Sequence, residues 1–225
     1  MPAKNRIKLY VENGYYHIYN RGVEKRKIFL DEQDYAVFLS YLKNYLLPKN
    51  EKDLTEKLLD SNITYKNRDK ILKLLRLNNF YNEISLLAYS LMPNHFHFFI
   101  KQNNVMSIDK FMQSLITRYV VYFNRKYNRV GSLFQGVYKA VLIENNSQFI
   151  YLTKYIHKQA VIHKGQTLRG KEYPSSYPEY LNLRKTEWIN SQEVLSFFSE
   201  NHNLTYETFV NDLDDFSVIQ EKTLE

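Results

Sequence analysis

The sequence contains no cysteine. Disulfides, thiolate zinc sites and cysteine nucleophiles are therefore excluded. It has no apolar run of the length a transmembrane helix needs. The N-terminal stretch MPAKNRIKLYVENGYYHIYNRG has no apolar signal core, so a soluble, cytoplasmic protein is the expectation. There is no glycine-rich phosphate loop of the GxxxxGKS/T kind and no HExxH zinc-protease motif. Internal repeats and low-complexity tracts are also missing.

What is present is a chain of 225 residues, 44% hydrophobic, enough for one good-sized domain or a domain with a small appendage. Aromatic usage is skewed, with 20 Tyr and 14 Phe against a single Trp. Tyrosine fills a core while keeping a polar tip, and it also stacks on nucleobases. The formal net charge of +7 favours a polyanionic partner, of which nucleic acid is the commonest.

Periodicity divides the chain into elements. Gly14 to Gly22 reads as a strand bounded by glycines. Asp31 to Leu47 reads as a helix, with Tyr35, Phe38, Leu39, Leu42 and Leu46 at helical spacing, Asp31 as N-cap and Pro48 as a stop. Residues 49–80 are charged and broken, consistent with short helices in a surface insertion. Ile84 to Met92 and His95 to Lys101 read as two strands joined at Pro93-Asn94. Ser107 to Tyr127 is a long helix, VYKAVLI (137–143) a strand, and Ser147 to Ile162 a helix ended by His163-Lys164-Gly165. The segment EYPSSYPEYLN is expected to be a surface turn, and residues 190–216 one or two small amphipathic helices with an acidic end. The first six regular elements run β-α-β-β-α-β. They predict an α+β, ferredoxin-like (RRM-like) fold, an antiparallel sheet covered on one face by helices. The expected organisation is a domain over 1–185, with its insertion at about 49–80, and a helical extension over 186–225.

The stretch MPNHFHFFI, Met92 to Ile100, places two of the chain's six histidines one residue apart. Side chains alternate faces along a strand, so His95 and His97 point one way while Phe96 and Phe98 point into the core. Two imidazoles side by side can share a divalent metal. A pair of hydrogen-bonded structural histidines gives the same pattern, and the spacing alone does not separate the two. The helix SQFIYLTKYIHKQAVI stacks Tyr151, Tyr155 and Gln159 on one stripe. Gln159 offers an amide oxygen to a metal. Spacing does not choose between Tyr151 and Tyr155 as a nucleophile.

MPNHFHFFI looks like the signature of the HUH-type single-strand nucleases, specifically the IS200-like tyrosine transposases and the REP-associated tyrosine transposases. The similarity extends over most of residues 14–182. YYHIYNRG resembles the family's first strand. RYVVYFNRKYNRVGSLFQGVYKAVLI resembles the helix, loop and strand after the histidine motif, and KYIHKQAVIHKG with SSYPEY resembles the nucleophile helix and the segment after it. The resemblance implies Tyr155 as nucleophile, His95, His97 and Gln159 as ligands of Mg²⁺ or Mn²⁺, and a 5′-phosphotyrosine intermediate on single-stranded DNA bearing a hairpin. The charged insert is longer than is usual in the family, and Gln159 is more like the insertion-sequence enzymes. The C-terminal extension is more like the REP-associated group, which leans towards a monomer, the alternative being a dimer with Tyr155 swapped onto the partner.

Such a substrate needs cations for its phosphates. The candidates are Arg21, Lys25, Arg26 and Lys27 after the first strand, and Arg118, Arg125, Lys126 and Arg129 along and beyond the long helix. Two other readings compete with the nuclease: a non-catalytic nucleic-acid-binding domain with the same fold, and a metal hydrolase that needs neither Tyr155 nor the basic surface.

Overall fold

Asp31 starts the first helix as the sequence predicts. Its carboxylate accepts from the backbone N–H of Asp34 at 3.0 Å, and the Asp34 carboxylate accepts in return from the backbone of Asp31. This closes a capping box around α1 (Glu32–Leu46). The structure, a computed structural model, describes residues 8–162, 173–199 and 205–212. Strand β1 (Tyr15–Arg21) precedes α1; α2 (Glu51–Leu58), α3 (Tyr65–Leu75), β2 (Ile84–Met92), β3 (His95–Gln102), α4 (Ser107–Lys126), β4 (Lys139–Ile143) and α5 (Asn146–Ile162) come after it. Three short helices end the described chain: α6 (Tyr177–Tyr180), α7 (Gln192–Ser199) and α8 (Tyr206–Asn211). The stop at His163-Lys164-Gly165 lies outside the described residues.

The four strands form one antiparallel sheet in the order β2-β3-β1-β4. With α1 and α4 in the two crossovers, this is the ferredoxin-like arrangement expected from the element order. Pro93 and Asn94 form the tight β2–β3 connection, and the Pro93 carbonyl accepts from the N–H groups of Ile28 and Phe29 at 2.7 and 3.1 Å. Alternation along β3 sorts its side chains. Phe96, Phe98 and Ile100 join the main core with Phe38 and Leu42 of α1 and Phe111, Leu115 and Tyr119 of α4. Each such ring, wholly removed from water, contributes on the order of 1.5–3 kcal/mol.

The other face is not bare, and here the expectation of helices on one face is incomplete. Leu87, Ala88 and Phe99 of the sheet pack against Phe149, Leu152 and Ile156 of α5 in a second core, which Val194 of α7 and Tyr206 and Val210 of α8 complete. The charged insertion forms the two expected short helices, with no buried residue in either.

EYPSSYPEYLN departs from the expected surface turn. From Tyr173 on it runs along the outer edge of β2, where the Leu91 N–H donates to the Pro174 carbonyl at 2.9 Å and the Ser176 N–H to the Tyr89 carbonyl at 3.0 Å. Ser176 is wholly buried and Tyr180 nearly so, its hydroxyl donating to the Leu87 carbonyl at 3.0 Å. An exposed edge strand leaves unpaired backbone groups. This polar, tyrosine-rich segment satisfies them, which explains why its composition reads as surface while its position is interior.

Candidate active site

The second face of the sheet carries His95 and His97. Antiparallel pairing sets Arg21 opposite His95 and Tyr19 opposite His97, with His17 opposite Phe99. On β1, His17 and Tyr19 share the face of the histidine pair, and their rings stack at 4.8 Å. His17 also lies side by side with His97, ring centroids 5.1 Å apart and the ring planes 19° apart. The rings of His95 and His97 meet edge to face at 5.0 Å.

Each histidine of the pair has its Nδ1 engaged by a neighbour. His95 Nδ1 lies 2.6 Å from Asn94 Oδ1. The Asn94 Nδ2 amide donates to the Lys25 carbonyl at 3.4 Å, which assigns Oδ1 to the histidine side. Oδ1 only accepts, so His95 Nδ1 carries the proton and, in the neutral ring, Nε2 carries the lone pair. His97 Nδ1 lies 2.9 Å from His17 Nε2. The Nε2 atoms of His95 and His97 are both shielded from solvent.

Helix α5 brings the tyrosine. Its inward side, Leu152, Ile156 and Ala160, is buried on the sheet, and this seats Tyr155 edge-on to His97, ring centroids 5.4 Å apart and planes 85° apart. Tyr155 also meets His17 at 6.0 Å. Tyr151, one turn earlier, meets Phe209 of α8 at 5.5 Å instead. Of the two tyrosines that spacing leaves open, Tyr155 is the one whose ring reaches the histidines. Gln159 is half-buried one turn beyond Tyr155 on the same helix.

Another histidine on α5 has a separate role. His157 is wholly buried; its Nδ1 pairs with the Tyr206 hydroxyl at 2.6 Å and its Nε2 with Ser176 Oγ at 2.8 Å. Burial pushes its pKa down to about 3. It therefore stays neutral and pins α5 to α8 and to the segment along β2. Sequence reasoning passed over it, and over Asn94 and His17. Strand alternation in YYHIYNRG is the one signal that sets His17 and Tyr19 on a common face.

Among the described residues no three His, Cys, Asp or Glu side chains gather into a metal cage. A divalent ion here would draw on two imidazoles and an amide. The donor set fits such an ion in one specific respect: Nδ1 of each ring is held by a neighbour and Nε2 is the remaining nitrogen, the usual outer-shell pattern of metal-bound histidine.

The eight basic candidates fall into two groups. Arg21 ends β1, and Lys25, Arg26 and Lys27 belong to the loop that follows it beside the Pro93-Asn94 turn, where the Gly22 N–H donates to the Asn94 carbonyl at 2.8 Å. They flank the His95 end of the sheet. Arg21 Nε donates to Gln135 Oε1 at 2.6 Å, and Arg26 pairs with Glu24 at 3.4 Å. The other four lie on or just after α4, which packs on the opposite face. There Arg118 covers the Tyr41 ring at 3.8 Å. Lys126 bridges Asp31 at 2.7 Å and the buried Asp34 at 2.8 Å, Arg129 donates to Asn124 at 3.2 Å, and Arg125 is exposed.

Fold and cluster together define a ferredoxin-like α+β protein with a tyrosine seated on a histidine pair. Residues 56–159 match the family model described as "Transposase IS200 like". That span holds His95, His97, Tyr155 and Gln159, and the resemblance carried by MPNHFHFFI is to the same family. Among solved structures, the chain is similar to a REP-associated tyrosine transposase bound to a REP hairpin, at 9% identity over 84% of this chain and 98% of that one, TM-score 0.48. It is also similar to a transposase structure from Deinococcus radiodurans R1, at 13% identity over 69% and 98% of the two chains, TM-score 0.36. A third similarity is to tRNA(His) guanylyltransferase from Saccharomyces cerevisiae, at 14% identity over 90% and 86%, TM-score 0.34. No curated protein matches the chain. Among the described residues, no helix is long and apolar enough to cross a membrane.

Proposed function

We propose that this chain is a single-strand DNA nuclease and strand transferase that cleaves and rejoins hairpin-bearing DNA through Tyr155. The observation that carries the proposal is the edge-to-face seating of Tyr155 on His97, within the span that matches the transposase family. Residues 1–185 form the catalytic unit and 186–225 the extension.

The reaction is set by the groups at the site. The Tyr155 hydroxyl oxygen attacks the scissile phosphorus and loses its proton, the bond from phosphorus to the 3′-oxygen breaks, and that oxygen leaves as a 3′-hydroxyl. The phosphodiester becomes a 5′-phosphotyrosine diester of similar energy, so a 3′-hydroxyl can reverse the step without ATP. A phenol, with a pKa of about 10, is protonated at neutral pH and must be relieved of its proton during attack. His95, His97 and Gln159 would hold Mg²⁺ or Mn²⁺. When bound, the ion would polarise the scissile phosphate and offset charge developing in the transition state. Neutral ligands leave the charge of such an ion undiminished. Arg21, Lys25, Arg26 and Lys27 supply backbone attraction at the His95 end, while exposed Arg125 and the more engaged Arg118, Lys126 and Arg129 serve DNA wrapped onto the other face.

The C-terminal extension, more like that of the REP-associated group, supports a monomer with Tyr155 acting in cis. The test is a denaturing gel with labelled single-stranded hairpins from the genome that encodes the chain, with Mn²⁺ or Mg²⁺. A metal-dependent, protease-sensitive shifted band, lost in Tyr155→Phe, is the expected result. Binding without cleavage across a broad hairpin set would overturn the enzyme in favour of a binding module, and nicking that survives Tyr155→Phe would point to a hydrolase.

A further inference from the structure

We infer that His17 is a positioning residue: its Nε2 accepts a hydrogen bond from His97 Nδ1 and so holds His97 in the tautomer whose Nε2 carries the lone pair. The contact itself is a buried ring-to-ring hydrogen bond of 2.9 Å. One of the two nitrogens must donate. If His17 donated, the proton of a neutral His97 would sit on Nε2, and that atom could ligate nothing. If His97 donates, its Nε2 becomes an acceptor.

The second arrangement is the one the site already adopts at His95. There the Asn94 amide, oriented by the Lys25 carbonyl, accepts from Nδ1. Asn94 and His17 then do the same work for neighbouring rings, one from the turn and one from the adjacent strand. An imidazole without an acceptor at Nδ1 favours its proton on Nε2, so the tautomer needs the partner. His17 is well placed to be a fixed one: it is wholly buried, stacked on Tyr19 at 4.8 Å, and nearly coplanar with His97, the ring planes 19° apart. Outer-shell acceptors of this type are typically worth about 10–100-fold in metal affinity.

The inference rests on the proposed function where it concerns the metal, but not where it concerns the proton. The experiment has both readouts. Long-range ¹H–¹⁵N spectra of the metal-free protein, taken at a pH where histidine is neutral, should find the proton of His97 on Nδ1 and that of His17 on its own Nδ1. In His17→Phe, which keeps an aromatic ring but accepts nothing, the His97 proton should move to Nε2. In His17→Gln, whose amide oxygen can accept, it should stay on Nδ1. Titration with Mn²⁺, followed by the electron paramagnetic resonance of the free ion, should give affinity about 10–100-fold weaker for His17→Phe and largely restored for His17→Gln. A wild-type His97 protonated on Nε2, or a His17→Phe protein that binds Mn²⁺ as tightly as wild type, overturns the inference. If wild type takes up no Mn²⁺, the proposed metal role of the site fails instead, and the position of the His97 proton alone decides for or against His17.

Discussion

Tyr155 on helix α5 meets His97 on strand β3 edge to face, ring centroids 5.4 Å apart. A contact between residues so far apart in sequence is a product of how α5 lies across the sheet. It makes Tyr155→Phe the most informative single change. Loss of the hydroxyl should abolish the covalent DNA adduct while leaving hairpin affinity within a few-fold of wild type by fluorescence anisotropy. Tyr151→Phe, whose ring meets Phe209, should retain the adduct.

His157 predicts a pH dependence of stability. The folded protein holds it neutral, with a pKa of about 3, against about 6.5 in the unfolded chain. The native state therefore binds fewer protons than the unfolded state between these values. Stability is full above about pH 6.5 and falls as pH drops towards 3. At about 1.4 kcal/mol per pH unit, the loss by pH 5 is roughly 2 kcal/mol. Urea denaturation at pH 7.5 and 5 measures it. His157→Gln should be less stable at pH 7.5 and should show a difference between the two pH values smaller by about that amount.

Asp34 is wholly buried and accepts from Lys126, Tyr122 and Tyr127 at 2.8, 3.1 and 2.8 Å, and from the Leu30 N–H at 2.8 Å. Removing one partner from such a network leaves the others uncompensated. Asp34→Ala is expected to cost about 3–5 kcal/mol in guanidinium unfolding. The more exposed Arg26–Glu24 pair is the contrast: Glu24→Ala should change stability by less than about 1 kcal/mol.

The two groups of basic residues should separate in a salt titration. Lys25 and Lys27 are exposed at the His95 end of the sheet. If each contacts one phosphate, the double change to Ala should flatten the slope of log affinity against log salt by about 1.4 on single-stranded DNA. Lys126, held by Asp31 and Asp34, should move unfolding more than the salt slope when changed to Met. Anisotropy titrations from 50 to 300 mM salt, run beside the unfolding curves, decide between these outcomes.

Much of the fold was legible locally. Asp31 and the stripe Tyr35, Phe38, Leu42 announce α1; Pro93-Asn94 and alternating MPNHFHFFI announce the β2–β3 hairpin. Less was legible where a polar composition hides an interior position. Ser175, Ser176 and Tyr180 read as turn residues because their partners, the backbone groups of the β2 edge, leave no mark on their own sequence. The covering of the second face by α5 was hidden for a similar reason. The apolar side of α5 is plain, but nothing in it says which surface it will meet.

What the sequence determined by itself is what near neighbours decide. Periods of two and of 3.6 residues set His95 and His97 on one side of a strand and Tyr155 and Gln159 on one side of a helix, and caps and prolines set where elements begin and end. Tertiary structure decided which of those sides face each other. The hydrogen bond between His97 and His17 joins residues 80 positions apart, and it exists because β1 pairs with β3 in one particular register. Burial of two cores on opposite faces selects that register, since a slip of one residue would turn Phe96 and Phe98 outward and the histidines into the apolar core.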